Sequence, residues 1–508
     1  MSVSLNEAPS ILGKTTFVLA ATVLGIGLNF LFTIGLARYL GPEEFGVFAI
    51  GLAVFNVASV LSTAGADSAA LRYLPALIVK GIPATFWPTV RTLLSYVLLG
   101  GLVFGVGLFA CRELLAEQVF HDGKLVGVLT GFALAVPFFA LSSTLIAVLQ
   151  SMHIVTWRLV VKYVCEPLAK VGLAVLFLWM GWGLSGAIAG FVSALALTVV
   201  LASLPLRAHL AGPNLPSPVS SRMLFDFSTP LLLSLIFSSF GNRSDVLLLG
   251  YFAQPSTVGL YSAAFQVASV FALIVQSFES ILQPLYSQHL AAADRVGLER
   301  VYRSMVRWIG TVVIPLFTVM SLCAPRLLSL YGEAYTEAVW CLTVLALAQC
   351  LNSMSAPAHG LLVLAGYSRL VMWNSLAAAL LQIALNAALI PSYGILGAAV
   401  ATGAGLIVVN AARLVQVRRL LNVSPVEPWL WRSGTAAAVA FAAFVVLRAE
   451  FEVANVGALL TCFVAMYGLG LFGLGLHDED RRLLTSLLYK IRMPLRWPMC
   501  LRGVMHVE

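Results

Sequence analysis

The chain has 508 residues, of which 60% are apolar and 10% are charged, with a formal net charge of +8. In soluble domains about a quarter of the residues are charged, so this composition excludes a soluble globular protein. A helix of about 20 apolar residues crosses the roughly 30 Å hydrocarbon layer of a bilayer, and apolar segments of that length recur along the chain. We therefore predict an all-α polytopic membrane protein with about fourteen transmembrane helices.

Six of these helices lie in the first half of the chain. They are predicted near residues 15–37, 45–66, 92–111, 125–157, 159–181 and 183–206. A segment with Pro213, Pro216 and Pro218 follows. Because proline breaks helices, we place the join between the two halves in this segment.

The second half repeats the arrangement and adds two helices. The predicted helices lie near residues 226–252, 259–287, 308–329, 338–366, 370–391, 395–415, 433–447 and 453–476. We therefore expect an N-terminal lobe at 1–212, a C-terminal lobe at 213–422, two extra helices at 423–476 and a basic cytoplasmic tail at 477–508.

Short sequence matches recur at an offset of about 210 to 213 positions. Gly46 and Gly259 start similar apolar segments, and the string F-x-VASV begins at Phe55 and again at Phe265. A second pair of strings is Gly183-x-x-Gly186-Ala187 and Gly394-x-x-Gly397-Ala398. Self-similarity at one offset is the sign of an internal repeat, so we predict two pseudo-symmetric six-helix lobes.

The basic residues indicate the orientation in the membrane. Most of the 30 Lys and Arg residues lie before the first helix, after even-numbered helices or in the tail. Positively charged connections remain on the cytoplasmic side, so we expect both termini to be cytoplasmic, in the inner membrane of a bacterial cell. Segments 71–78, 296–305 and 481–492 have the pattern of amphipathic helices at the membrane surface, although loops that only set the topology would contain the same residues.

The sequence contains no P-loop, G-x-S-x-G elbow or H-E-x-x-H motif. The seven cysteines lie mostly within apolar segments and have no paired metal-binding spacing. We therefore predict no enzyme, no metal and no cofactor. The net charge of +8 is explained by the Lys and Arg residues of the cytoplasmic connections, so no nucleic-acid partner is expected.

The candidate functional residues are ionisable side chains inside predicted helices. Arg243 offers a planar group of five donors that suits phosphate oxygens, and Asn242 adds a polar neighbour. Asp245 could form a structural ion pair with Arg243 near the helix end, or take part in ion coupling. The remaining ionisable residues at membrane depth are Glu166, Lys170, Asp226 and Glu279.

Glu166 and Lys170 have the i,i+4 spacing of a helical ion pair, which favours a structural role, although Lys170 is also a candidate cavity cation. Glu279 is the first candidate for proton coupling, because an unpaired carboxylate in a membrane helix can bind a proton. Asp67 and Arg72 are candidates for gating the cytoplasmic mouth, with an interfacial role as the alternative.

Uncharged polar residues also occur within the predicted helices. They are Asn29, Asn352, Asn374 and Asn386. Amides at such positions usually form hydrogen bonds between helices.

The chain contains the strings LARYLGPEEFGVFAIGLAVF at 36–55, NRSDVLLLGYFAQPSTVGLYSAAFQV at 242–267, APRLLSLYGEAYTEAVWCLTVLALAQ at 324–349 and YGILGAAVATGAG at 393–405. These four strings resemble the polysaccharide transporter branch of the MATE-like flippase superfamily, the O-antigen and exopolysaccharide flippases. The resemblance implies two lobes around a central cavity that opens alternately to the two sides of the membrane.

The resemblance also implies a cargo, an oligosaccharide linked to undecaprenyl diphosphate. A cationic cavity would hold the diphosphate, with Arg243 as the clearest match and Lys170 as a second. The lipid bilayer, and polysaccharide polymerase and chain-length proteins, are the partners that such a function suggests.

Three alternatives remain open. A drug or cation exporter of the same superfamily would usually have an acidic residue in the first helix, and residues 15–37 contain none. A lipid II flippase would have charged residues there, where Asn29 is only polar. A membrane glycan polymerase or ligase would have a large outside loop, whereas the predicted outside loops are short.

Overall fold

The computed structural model describes residues 8–79, 85–152, 154–206, 241, 243–424, 430–450 and 456–473. Every regular element in these ranges is helical. Strands that are not closed into a barrel leave backbone groups unpaired in a bilayer, whereas a helix satisfies its own backbone hydrogen bonds. The predicted all-α polytopic class is confirmed.

The described helices of the first half are α1 (Ala8–Thr63), α2 (Ala66–Val79), α3 (Phe86–Glu113), α4 (Lys124–Ser151), α5 (Val155–Leu159), α6 (Glu166–Trp179) and α7 (Gly183–Ser203). Those that follow are α8 (243–252), α9 (Pro255–Ala268), α10 (Val270–Ala291), α11 (Arg295–Leu322), α12 (Ala324–Ser329), α13 (Val339–Leu364), α14 (Ser368–Leu421), α15 (Leu430–Glu450) and α16 (Val456–Gly473). Short π-helical turns cover Leu114–Val119 and Val160–Cys165, and 3-10 turns cover Leu204–Leu206 and Glu333–Ala338.

Within these ranges, eight helical segments are long and apolar enough to cross a membrane. Helices α1 and α14 each exceed fifty residues, and each contains one glycine with non-helical backbone angles, Gly41 in α1 and Gly394 in α14. Each long segment therefore holds two consecutive spans joined at a kink. Pro42 directly follows the first kink, where its fixed φ suits the first turn of a helix.

The predicted eighth helix, 259–287, is interrupted. It consists of α9 and α10, which meet at Ser269. The Ser269 hydroxyl donates to the carbonyl oxygen of Gln266 at 2.6 Å. Serine hydroxyls compete in this way for backbone groups, and the sequence pattern alone, which is apolar on both sides of Ser269, did not predict the break.

The internal repeat is visible in the backbone. Gly183 and Gly394, which the repeat pairs, both have positive φ, 52° and 54°. Gly46 and Gly259, the other predicted pair, meet at the point where α1 and α9 cross. A Cβ atom on Gly46 would overlap the carbonyl oxygen of Pro255, and one on Gly259 would overlap that of Pro42. The predicted pseudo-symmetry of the two lobes is confirmed by this reciprocal contact.

Further contacts join the two lobes at the end of the bundle where these helices start. The Tyr335 hydroxyl donates to the Ala37 carbonyl oxygen at 3.1 Å, and the rings of Phe45 and Tyr335 are 6.1 Å apart. The rings of His121 and Tyr251 are 6.3 Å apart. We call this the closed end of the bundle.

The core of the first lobe contains a cluster of phenylalanines from α1, α4 and α7. Phe55 lies 5.3 Å from Phe132, 5.7 Å from Phe139 and 5.4 Å from Phe191, measured between ring centroids. Phe55 is 1% exposed. This packing sets the rotation of α7, and with it the position of Phe191.

The chain divides into two compact units. The first comprises Met1–Ile309 and Met320–Pro425, and the second Gly310–Val319 and Val426–Glu508. In the second unit α15 packs against α16, and the Tyr467 hydroxyl donates to the Thr311 carbonyl oxygen at 2.9 Å. The finer boundaries that we expect from the sequence at 212, 422 and 476 stay predictions, and the tail at 477–508 lies outside the described residues.

Candidate functional site

A cavity of about 220 Å³ lies between the two lobes. Both lobes line it, the first through α1, α6 and α7 and the second through α8 and α9. Its polar lining residues are Asn29, Thr33, Lys170, Arg243, Ser262 and Gln266. Most of the remaining wall is aromatic or aliphatic, and includes Phe45 and Phe48 toward the closed end.

Arg243, the leading candidate from the sequence, lies in the wall of this cavity. It is half-buried on α8. Among the described residues it forms no hydrogen bond and no ion pair. Asn242, its predicted polar neighbour, lies outside the described residues.

Among the described contacts, Arg243 and Asp245 form no ion pair, which was one of the two roles that the sequence left open for Asp245. The two residues are two positions apart, which places them on different faces of a helix. Arg243 lines the cavity, while Asp245 is 1% exposed and accepts a hydrogen bond from the Tyr261 hydroxyl at 2.6 Å. The other Asp245 carboxylate oxygen accepts from the backbone N–H of Val246 at 2.8 Å.

Lys170 also lines the cavity, from the opposite lobe. Its ammonium lies 3.8 Å from a Glu166 carboxylate oxygen, 3.4 Å from the Asn29 amide oxygen and 5.0 Å from the centre of the Phe191 ring. The predicted pairing of Glu166 with Lys170 is therefore confirmed, and the same Lys170 contributes positive charge to the cavity.

Glu166 has a second partner, Lys162, which was not predicted from the sequence. Lys162 donates to Glu166 at 2.9 Å, also at i,i+4 spacing. One buried carboxylate is thus shared by the amines of two lysines, Lys162 and Lys170. The repeated spacing 162, 166, 170 was visible in the sequence and could have predicted it.

Ser262 and Gln266 were also missed. They lie on consecutive turns of α9 and both line the cavity. The Ser262 hydroxyl oxygen is buried without a hydrogen-bond partner in the described part of the chain. Two polar residues four apart lie on the same face of a helix, which is a signal that sequence reasoning can use.

Tyr261 extends the polar contacts of Asp245 from α8 to α14. Its hydroxyl lies 3.4 Å from the Thr402 hydroxyl, which accepts from Gln382 at 3.2 Å. On the same helix as Asp245, Ser244 accepts a hydrogen bond from Asn386 at 3.3 Å. Asp245 therefore belongs to a buried network and not to the cavity wall.

The structure does not bring Glu279 to the cavity. Glu279 lies half-buried on α10 and has no hydrogen bond or ion pair within the described ranges.

Asp67 lies at the start of α2, where its carboxylate accepts a hydrogen bond from the Ser68 backbone N–H at 3.0 Å. Arg72 is exposed, with its guanidinium 5.7 Å from the Tyr73 ring. Asp226 falls outside the described residues.

The asparagines confirm the predicted hydrogen bonding between helices. Asn352 accepts from Asn410 at 2.9 Å. Asn374 donates to Gln416 at 2.7 Å, across the kink in α14. Asn29 donates to the Gly25 carbonyl oxygen in its own helix and accepts from Lys170.

In the residues that the structure describes, no group of three His, Cys, Asp or Glu side chains could hold a metal ion.

Two known proteins with similar sequences are named for glycan biosynthesis. A probable low-salt glycan biosynthesis flippase of Haloferax volcanii is 26% identical over 394 residues, which are 75% of this chain and 78% of that protein. The succinoglycan biosynthesis transport protein of Rhizobium meliloti is 26% identical over 429 residues, or 82% and 79% of the two chains.

The fold is shared with solved transporters. A lipid II flippase in an inward closed conformation superposes with a TM-score of 0.73 at 12% identity, covering 94% of this chain and 99% of its own. An inward-facing multidrug resistance MATE transporter of the MOP superfamily gives 0.65 at 12% identity, covering 80% and 98%. These likenesses establish the fold alone.

The family match covers more than half of the chain. Residues 35–340 match the family described as polysaccharide biosynthesis protein. That segment holds the kink at Gly41, the crossing of Gly46 with Gly259, and all of the residues that line the cavity between Leu36 and Gln266. The chain therefore belongs to the polysaccharide biosynthesis protein family, built on the fold of the MATE-like transporters.

Proposed function

We propose that the protein is a flippase that moves an oligosaccharide linked to undecaprenyl diphosphate across the cytoplasmic membrane, for the synthesis of a surface polysaccharide. The main support for this proposal is the position of Arg243. This cation, which has no described partner, lies in the wall of a cavity between the two lobes. Family membership and the names of the similar proteins support the same function.

The charge of the cavity fits an anionic cargo. Its lining contains Arg243 and Lys170 and, among the described residues, no carboxylate. Glu166 lies behind Lys170 and is shared with Lys162. Attraction between opposite charges is several times stronger near a protein surface than in bulk water, so a diphosphate gains from both cations. A cationic drug would be repelled by them.

The arrangement of the lobes fits alternating access. Since the basic loops are expected on the cytoplasmic side, the closed end would face outward and the cavity would load from the cytoplasm. Separation of the lobes at the crossing of Gly46 with Gly259 would then open the outer side. Asp67 and Arg72 keep their proposed gating role at the cytoplasmic mouth.

Two carboxylates are proposed to take part in ion coupling. Glu279 is half-buried without a described partner, and Asp245 lies in a buried network. Transport into proteoliposomes that contain undecaprenyl diphosphate oligosaccharide should depend on external pH. We expect Glu279→Gln to flatten that dependence, because an amide cannot exchange the proton; an unchanged pH profile would remove Glu279 from the proposal.

The decisive test concerns Arg243. We expect Arg243→Ala to reduce surface polysaccharide at least about tenfold, the loss expected when a charged hydrogen-bonding partner is removed. Protein level in the membrane should stay unchanged. Arg326→Ala is the matched control, because Arg326 is exposed at the end of α12 and outside the cavity.

Normal polysaccharide in Arg243→Ala cells would contradict the proposed role. Rescue of cells depleted of their lipid II flippase would instead assign the protein to that related cargo. In the cell, the protein is proposed to work in the inner membrane beside polysaccharide polymerase and chain-length proteins.

A further inference from the structure

A second cavity on the first lobe lies next to the one already described. It is a groove of about 280 Å³ between α1 and α6, on the surface that faces lipid. Its walls are apolar, and Leu31, Val175 and Trp179 are 62%, 60% and 86% exposed. At the closed end, the Tyr39 hydroxyl donates to the Leu178 carbonyl oxygen at 3.2 Å and joins the two helices.

This groove shares a wall with the central cavity. Phe32 and Leu36 line both spaces. They lie on consecutive turns of α1, so one layer of side chains separates the cationic cavity from the lipid-facing groove. The groove is open at Gly35, where a Cβ atom would meet no other atom within 4 Å.

Another apolar groove on the same lobe lacks this connection. It lies between α3 and α4, has a volume of about 330 Å³ and is lined by residues that include Leu102 and Leu134. None of its lining residues lines the central cavity. The groove between α3 and α4 is therefore one that any acyl chain of the bilayer could fill, whereas the groove at Gly35 borders the substrate cavity.

We propose that the groove at Gly35 binds the polyisoprenyl chain of the substrate while the diphosphate lies near Arg243 and Lys170. This inference rests on the proposed function. A head group held in the cavity must leave its hydrocarbon chain in an apolar space, because burying apolar surface is favourable and a polar wall offers no such gain. The groove is apolar, open to lipid and one side chain away from the cations.

Glycine substitutions test the proposal without disturbing packing. Gly35 and Gly107 both lie in helices, and a Cβ atom would meet nothing within 4 Å at either position. Leucine favours helix more than glycine does, so Gly35→Leu and Gly107→Leu should keep the melting temperature of the protein. Only the side chain at position 35 would fill the groove.

Binding to protein in nanodiscs would be measured with two probes, undecaprenyl diphosphate and inorganic diphosphate. We expect Gly35→Leu to weaken binding of undecaprenyl diphosphate at least about tenfold and to leave inorganic diphosphate unchanged. Gly107→Leu should change neither, and Arg243→Ala should weaken both. Unchanged binding of undecaprenyl diphosphate in Gly35→Leu would overturn the proposal that the groove binds the polyisoprenyl chain. Failure of the wild-type protein to bind either probe would overturn the proposed function.

Photocrosslinking supplies a second readout. A benzoylphenylalanine would be placed at Gly35, or at Leu102 in the unconnected groove, in vesicles of phospholipid with radiolabelled undecaprenyl diphosphate. Labelling at position 35 that unlabelled undecaprenyl diphosphate displaces, with only background labelling at position 102, is the expected result. Equal labelling at both positions, or capture of phospholipid alone at position 35, would show that the groove holds ordinary bilayer lipid.

Discussion

At the scale of single residues, Arg243 and Asp245 have opposite environments although they are two positions apart. Arg243 faces a cavity, and Asp245 is enclosed by Tyr261 and the backbone of Val246. A buried carboxylate is tolerated only where hydrogen bonds replace its hydration. The Tyr261 hydroxyl therefore has a stabilising role that a tyrosine without a partner does not have.

Tyr261→Phe should lower the melting temperature of the detergent-purified protein, because Asp245 would lose its 2.6 Å donor. The loss of one hydrogen bond to a charged group corresponds to about 1–3 kcal/mol. Tyr286→Phe is the control, since Tyr286 is also buried, at 3% exposure, and its hydroxyl has no partner within the described residues. Equal melting temperatures for the two variants would contradict this role of Tyr261.

At the scale of elements, the crossing of α1 with α9 is the feature that holds the closed end together. Glycine at 46 and 259 allows the two backbones to approach so closely that the amide nitrogen of Gly259 would lie 3.0 Å from a Cβ atom placed on Gly46. The neighbours at this crossing are backbone atoms, which cannot rotate away as a side chain can. A methyl group at either glycine must therefore separate the helices.

We expect Gly46→Ala and Gly259→Ala to shift the protein away from the closed arrangement. Overpacking of this kind costs about 1–3 kcal/mol, which changes a two-state equilibrium by about fivefold or more. Electron paramagnetic resonance between spin labels at Asp122 and Gln254 would report a larger fraction of long distances.

Gly127→Ala serves as the matched control for this crossing, because a Cβ atom at Gly127 in α4 would meet nothing within 4 Å. Its distance distribution should equal that of the wild type. Distributions for Gly46→Ala and Gly259→Ala that also match the wild type would show that the crossing does not hold the closed end.

At the scale of the whole molecule, the orientation of the bundle decides which side the cavity serves. The distribution of Lys and Arg predicts that the turn at 120–123 is outside and the turn at 292–294 is inside. In a background without the exposed Cys111, a membrane-impermeant maleimide should label Gly123→Cys in intact cells.

The same reagent should leave Ala292→Cys unlabelled until the membrane is permeabilised. Both positions are exposed, so reagent access through the membrane is what differs between them. The reverse labelling pattern would show that the topology is opposite to the predicted one, and the proposed direction of transport would then be wrong.

The sequence alone was sufficient for the helical class, the repeat and the family. In a bilayer every backbone polar group must bond within the chain, so apolar length predicts helices directly, and two copies of a sequence fold alike, as the paired backbone angles of Gly183 and Gly394 show. Spacing along one helix likewise predicted the ion pair of Glu166 with Lys170.

Only the tertiary structure decided which polar residues share a space. Helix rotation and lobe packing placed Arg243, Lys170 and Ser262 around one cavity and turned Asp245 toward Tyr261. These contacts join residues far apart in sequence, and a periodic apolar pattern does not specify the rotation of a helix whose faces are all apolar. For the same reason the break at Ser269 and the groove at Gly35 appeared only when the helices were packed together.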